Sequence, residues 1–549
     1  MSRITNESTP TAASQPVLSN PTGLAKATGL MMAMVLLSRV LGLVRDAIIS
    51  HYFGRGPQTD AYNAAFTVPD LLFNLLQSGA LSSTIVPIIT EYRQKGQDHL
   101  ADRTVSIVAS TIFVVIGLLI LVMEIYAREL TLLLHSGPSF RSASLDIAVP
   151  LTRVLLPAQL FFFMGGLMMG VLYSRKKFLI PALGPVIYNA GIIAGGIFLR
   201  PILGRILGPA RAIEGLVWGA IGGAFLGNFL IPYIAVRRLG VSLKPNFQIL
   251  DPAAKKVWRL LLPVGLGISL PSIDQLVNKA FASYLPSGDM TALMNAYRLM
   301  LVPIGIFAQA QALTVFPNLS GQAADQNVKA MRATLNQSLR NILFLTVPAS
   351  VLLMVLADPI ITFLLQSGKY HLSDTLVTAS ALKMLSLGIF AWSCQSLLVR
   401  GFYALQSARV AVVSGGCVSV IFIAMNWYVV HHTDLGVAGL GLATSIAATI
   451  HMVALYILLR KRLMGLNTAR LLGSVSKTIA ASAAMGAVAW GVNSGLSPVV
   501  AGLAPKLGAL LILLLGGVGG IGAFAVVAVL LRMPEVAAVR AMVGRKRAA

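Results

Sequence analysis

Long apolar runs separated by short polar stretches recur along the whole chain. About 20 predominantly apolar residues cross the hydrocarbon of a bilayer as a helix. Fourteen segments meet that length: 27–50, 60–90, 104–126, 146–173, 179–199, 212–236, 257–284, 291–317, 338–365, 376–403, 410–430, 435–459, 471–493 and 507–531. The pattern predicts an all-α polytopic membrane protein. The second segment carries Pro69 and Gly79, and the eighth carries Pro303 and Gly305. A proline inside a span removes a backbone hydrogen bond and kinks the helix. "AAFTVPDLLFNLL" and "YRLMLVPIGIFAQ" each place Val-Pro just inside a long span, six spans apart. That spacing predicts two six-helix lobes of like orientation and an extra pair, with a site at the lobe interface near the midplane. The expected division is a polar tail (1–26), an N-lobe (27–236), a linker (237–256), a C-lobe (257–459), a terminal helix pair (460–531) and a basic tail (532–549).

Composition agrees with a bundle in lipid. Of 549 residues, 56% are hydrophobic and 11% charged, too few charges to cover a soluble surface. The tail "MSRITNESTPTAASQPVLSNPTG" lacks the basic region and adjoining apolar core of a cleaved signal peptide, and it reads as a cytoplasmic extension. The formal charge of +24 raises the question of nucleic acid. The bases, however, fall in short clusters between spans: "YRQKGQDHLADR", "SRKKF", "VRRLGVSLKP", "KKVWR", "LRKRL" and "VGRKRAA". With both termini inside the cell, about 27 of the 43 Lys and Arg lie in cytoplasmic segments and about 8 in outer loops. These bases orient the chain and touch anionic lipid, and no nucleic-acid partner is expected.

Catalytic motifs are absent. "GVGGIG" (517–522) fits a dinucleotide-binding glycine pattern but sits inside the last apolar segment with no strand before it, so it reads as close helix packing. There is no Walker loop, HExxH or nucleophile elbow, and the histidines are scattered. Cys394 and Cys417 offer neither a disulfide framework nor a metal set. No enzyme activity, cofactor or metal site is expected.

One apolar segment carries charge in an orderly way. In "SRVLGLVRDAIISHYFG" (38–54), place Ser38 at 0° with about 100° per residue. Gly42, Asp46, Arg39 and Ser50 then fall between about 40° and 120°, and Arg45 near −20°. Val40, Leu41, Val44, Ala47 and Ile48 fill the opposite arc. Charges at membrane depth are costly, so this wedge should face the bundle interior or a wet cavity. Asp46 could serve as a salt-bridge partner for one arginine, though not for both. Arg298 in span eight and Arg153 in span four add to the cations, as do Lys279 and Lys383; Asp60, Asp70 and Asp274 stand among the few acids. Arg153, single on an apolar span, reads equally well as structural. A cavity lined by guanidinium groups suits a phosphate-bearing anion.

The stretch from "SRVLGLVRDAIISHYFG" through "RGPQTDAYNAAFTVPDLL" resembles the start of the MurJ (MviN) lipid II flippases, of the multidrug/oligosaccharidyl-lipid/polysaccharide exporter superfamily. "SGALSSTIVPIITEY", "FLIPALGPVIYN", "AYRLMLVPIG", "LLQSGKY" and "GFYAL" extend the resemblance over roughly residues 30–405. It implies fourteen spans in two lobes plus a pair, alternating access, and translocation of an undecaprenyl-diphosphate-linked peptidoglycan precursor across the bacterial inner membrane. Arg39, Arg45 and Arg298 match the basic residues that engage the diphosphate. Ser38, Asp46 and Asp60 match polar positions, and the last two spans match a lipid-tail groove. Other cell-wall synthesis proteins and a coupling ion are the further partners implied. Phe73 and Asn74 replace a basic pair often found there, with Asn74 retained as a candidate contact. Ser78, Tyr297 and Leu301 stand where acidic residues are common. The alternatives are a flippase for another polyprenyl-linked glycan, a drug exporter of the same superfamily, or a scaffold that binds lipid intermediates without transport.

Overall fold

Apolar side chains spaced to cover whole helix faces, with backbone polar groups satisfied internally, leave helices as the solution in lipid. The computed structural model describes residues 21–76, 80–175, 177–241, 243–248, 251–252, 255 and 273–536, and these are mostly helical with no strand among them. Ser78, Gly79, most of the seventh predicted span and the outer parts of both tails lie outside the described residues.

The first described helix is α1 (Pro21–Phe53), which begins inside the stretch expected to be a polar tail. The second predicted span is broken into α2 (Pro57–Ala65), α3 (Thr67–Leu76) and α4 (Ala80–Gln94). Next come α5 (Asp98–Ile125), two short helices α6 (Ala127–Leu134) and α7 (Pro138–Ala143), then α8 (Leu145–Leu155) and α9 (Ala158–Ser174). A π-helical turn joins α10 (Leu179–Ala194) to α11 (Arg200–Ile206), and another joins α12 (Glu214–Ala224) to α13 (Ile231–Arg238).

After the linker, α14 (Ile273–Ala282) is the described part of the seventh span. The eighth is α15 (Asp289–Pro303), a π turn (Ile304–Gln309) and α16 (Ala310–Ala324). There follow α17 (Val328–Val355), α18 (Ala357–Leu365), α19 (Leu372–Ser386) and α20 (Ile389–Ala404). The last four are α21 (Ala408–His432), α22 (Gly436–Arg462), α23 (Thr468–Val500) and α24 (Pro505–Leu530). Among the described residues ten helical segments are long and apolar enough to cross a membrane, and α19 with α20, bent by 44°, makes an eleventh. The other predicted spans are the first, with its three charges, the broken second and the partly described seventh, which is consistent with fourteen.

Helices α1–α13 pack chiefly on one another, as do α14–α22, while α23 and α24 pair together and lean on α17 and α18. Small residues allow the closest approaches. A Cβ on Gly191 or Gly195 of the fifth span would run into the backbone of Gly215, Gly219 or Gly223 on α12, the small-xxx-small contact of helices in lipid. Large apolar side chains such as Phe113, Leu118 and Leu121 on α5 and Val518 and Ile521 on α24 are exposed, as expected of a lipid-facing surface.

The two Val-Pro motifs do different things. Pro69 lies in the first turn of α3, where its missing N–H costs little, and the break falls before it, at Phe66. Pro303 ends α15 and leads directly into a π turn. Two parts read as tails or linkers are docked. Lys244 and Asn246 donate backbone N–H groups to Ser106 and Ser110 of α5. Beyond α24, buried Glu535 accepts from Arg340 at 2.7 and 2.8 Å and from Ser474 at 2.8 Å.

A candidate anion-binding cleft between two helical groups

The wedge predicted on α1 forms as expected. Asp46 and Ser50 are buried, whereas Val40 and Val44 on the opposite arc are exposed. Arg45 donates through Nε and Nη2 to Asp46 Oδ1 at 3.0 and 2.9 Å, and through Nη1 to Asn189 Oδ1 at 3.1 Å. Asn189 of α10 in turn donates to the Ser38 hydroxyl at 3.3 Å and to the carbonyls of Ser38 and Pro185. The same Asp46 oxygen lies 3.4 Å from Nη1 of Arg298, which comes from α15 in the other group. Arg298 also donates to Asn295 Oδ1 at 3.1 Å and Asn63 Oδ1 at 2.8 Å.

Asp46 thus serves two arginines, one from each group, rather than one from its own helix. Arg39 is exposed, its guanidinium lying so close to the π turn of the eighth span that a Cβ on Gly305 would meet it at 2.6 Å. Arg45 and Arg298 share one close carboxylate, and Arg39 adds a third cation beside the eighth span, leaving an excess of positive charge. About a third of the Arg298 side chain and a fifth of Arg45 remain accessible. Asp70 on α3 is also exposed and lies within electrostatic range of Lys279 and Arg298. These guanidinium groups keep part of their surface accessible where the two groups meet. Forked donors converging there, with unused N–H groups, fit the oxygens of a phosphate.

Toward the end at which α1 terminates, the groups are joined. Arg55 bridges Asp289 of α15 and Asp374 of α19, the latter at 3.0 Å. Lys369 N–H donates to the His51 carbonyl at 2.9 Å, an approach that places left-handed Gly54 against Lys369 and left-handed Gly368 against His51. Asp60 is buried here. Its oxygens accept from Gly288 N–H at 2.6 Å, and from Thr291 N–H and Oγ1 at 2.9 and 2.7 Å. Ser136 bonds Tyr284, and Gly137 N–H donates to Ser283 Oγ.

Of the residues singled out in the sequence, Ser38, Arg45 and Asp46 are linked through hydrogen bonds by way of Asn189, Arg298 joins them through its ion pair with Asp46, and Arg39 lies against the π turn of the eighth span. Asp60 belongs to the joined end. Asn74 is half-buried on α3, one turn beyond Asp70. Arg153 is exposed within electrostatic range of Glu124, and Lys383 pairs with Asp358 at 2.6 Å. The sequence reading missed Asn63 and Asn189, which orient the two paired arginines. Neutral amides inside apolar spans were the available signal, since a buried amide needs partners for all its polar atoms. A cavity of about 530 Å³ lies inside the second group, with Asp274, Trp392, Arg400 and His451 among its lining residues.

The family profile of the lipid II flippase MurJ matches residues 49–507. A lipid II flippase MurJ from Burkholderia cenocepacia is 29% identical over 432 residues, covering 78% of this chain and 82% of that protein. A probable lipid II flippase MurJ from Vibrio cholerae is 28% identical over 447 residues, covering 79% and 82%. Among solved structures, a lipid II flippase MurJ in an inward closed conformation shares the fold at a TM-score of 0.72, with 23% identity over 91% of this chain and 98% of that one. An inward-facing multidrug transporter of the MATE family shares it at 0.63, with 16% identity over 79% and 98%.

Proposed function

The chain belongs to the MurJ lipid II flippase family, and from that premise we propose that its arginine cleft engages the diphosphate of lipid II during transfer from the inner to the outer leaflet. It is a multi-pass membrane transporter rather than a catalyst. The reading rests on one observation above others: Asp46 joins Arg45 of one helical group to Arg298 of the other. A diphosphate bound there touches both groups at once, so its affinity depends on how they are arranged.

With both termini in the cytoplasm of a bacterial inner membrane, α1 runs outward. The joined end then faces the outside and the cleft opens toward the cytoplasm, the arrangement that receives substrate from the inner leaflet. Breaking the joined end and closing the other presents the headgroup to the outer leaflet. The prenyl chain can stay in lipid beside α23 and α24, because only the charged headgroup needs a wet path. A coupled ion or the membrane potential supplies the drive, about 2.3 kcal/mol per charge per 100 mV. The N-lobe and C-lobe of this cycle are the α1–α13 and α14–α22 groups.

Expression in a strain depleted of its own lipid II flippase tests the assignment. The chain should restore growth and cell shape, and lipid II should not accumulate on the inner leaflet. Failure at normal membrane levels would favour a different polyprenyl-linked substrate, a drug, or binding without transport.

A further inference from the structure

Several cross-group contacts meet at one small residue. Helix α2 ends at Ala65 and α3 begins at Thr67, so carbonyls in the last turn of α2 lack the amides of a continuing helix. Lys279 Nζ, from α14 of the other group, donates to the Asn63 carbonyl at 3.0 Å and to Thr67 Oγ1 at 3.3 Å. A cation suits a helix C-terminus because it meets the negative end of the helix dipole. The Asn63 side chain is equally committed. Its Nδ2 donates to the Thr59 carbonyl at 2.9 Å and to Thr291 Oγ1 at 3.2 Å. Both donors being used, Oδ1 is left to accept from Arg298 Nη2 at 2.8 Å. Thr291 is itself fixed by Asp60.

A continuous run of hydrogen bonds therefore leads from the joined end, through Asp60, Thr291 and Asn63, to Arg298, and an ion pair carries it on to Asp46 and Arg45. Asp60 and Asn63 belong to the first group; Thr291, Lys279 and Arg298 belong to the second. The bonds of Asn63 to all three exist only while the groups are together at this level.

We propose that Asn63 is a positioning residue for Arg298, holding its guanidinium beside Arg45 while the outer end is closed, so that the diphosphate-binding cluster is assembled in that state and dispersed when that end opens. This rests on the reading of the cleft as a diphosphate site. Substrate affinity is tied to the arrangement of the groups through a residue the substrate need not touch. The cluster binds where substrate is loaded and weakens where it is released. Lys279 anchors the device by fixing the broken turn that carries Asn63.

Equilibrium binding of undecaprenyl diphosphate to the full-length protein in detergent, with spin-label distances across the joined end, tests this. Asn63→Ala should weaken binding about tenfold, equivalent to about 1.4 kcal/mol, and lower the fraction of joined molecules. Asn63→Ser, with a small polar side chain too short to reach Arg298, should do the same and serves if the alanine variant folds poorly. Asn63→Asp should also weaken binding, because a carboxylate neutralises Arg298, yet it should raise the joined fraction. That opposite pair of effects is not expected of a merely structural residue. Gln395→Ala, which loses a bond to the Ala448 carbonyl inside the second group, should lower Tm with affinity kept. Binding by Asn63→Ala and Asn63→Ser equal to the unaltered protein, while Arg298→Ala loses it, would overturn the proposal. Absence of binding by the unaltered protein would overturn the cleft reading, and the proposal with it.

Discussion

Arg55→Ala should open the end of the molecule where the two groups are joined. Arg55 holds Asp289 and Asp374 together, and the three side chains are 17%, 10% and 11% exposed. Removing one partner from a buried ion pair costs about 3–5 kcal/mol, because the other charge is left behind without compensation. Here two carboxylates lose the same partner, but residual exposure lets water soften the loss, so about 2–4 kcal/mol is the appropriate range. The whole penalty falls on the joined state, since separation returns both aspartates to solvent. Tenfold per 1.4 kcal/mol makes this a shift of about 30- to 700-fold. A state favoured 99 to 1 would fall to about 3 to 1 at the lower bound and become the minor one at the upper.

Spin labels at Ser142→Cys and Ser373→Cys, after replacement of Cys394 and Cys417, report across this end from exposed positions on either group. The unaltered protein should give one short distance, and Arg55→Ala a second, longer population. Arg55→Lys should be intermediate, because a single ammonium cannot reproduce the fork that reaches both carboxylates. A folded Arg55→Ala protein with an unchanged distance distribution would refute the reasoning: the ion pairs would then be surface decoration rather than a latch.

Cysteines placed in "SRKKF" and "LRKRL" should be shielded from an impermeant thiol reagent added to sealed cells, whereas those in "LPSGD" and "HHTDLG" should label; the reverse pattern would invert the orientation and the direction of transport. Pro303→Ala supplies the missing N–H before the π turn, and should regularise the helix and rotate Gly305 away from Arg39; unchanged inter-group distances with and without lipid would leave the turn as fixed architecture. Glu535→Ala strands buried Arg340, a local loss of about 3 kcal/mol, and should lower Tm by several degrees; an unchanged melting curve would show that the segment after α24 is not docked in solution.

The length of the apolar runs made most of this architecture legible. Spans three to six and eight to fourteen each fall on a helix or helix pair, because lipid exposure demands long apolar runs that nothing else in a sequence mimics. The charged wedge of α1 was equally plain, since one face of one helix is a local property. Pairing between distant segments was not. That Asp46 serves Arg298 as well as Arg45, and that Asp60 leaves the cleft to hold Thr291, depends on how α2 and α15 meet, which no periodicity encodes. Asn63 and Asn189 mark buried polar positions, but which arginine each one orients depends on the same long-range packing. The two Val-Pro motifs looked equivalent and are not: one starts a helix and the other precedes a π turn, a difference set by the surrounding packing.

If opposed arginines carry a diphosphate lipid across the membrane, as proposed, transport must need both of them. The most direct test reconstitutes the protein with lipid II in sealed vesicles and follows, with an impermeant lipid II-degrading enzyme added outside, how fast the inner-leaflet pool becomes accessible. The unaltered protein should expose that pool. Arg45→Ala and Arg298→Ala should each abolish exposure at equal protein content, and the matching lysine variants should restore part of it. Transport by both alanine variants at the unaltered rate would contradict the account.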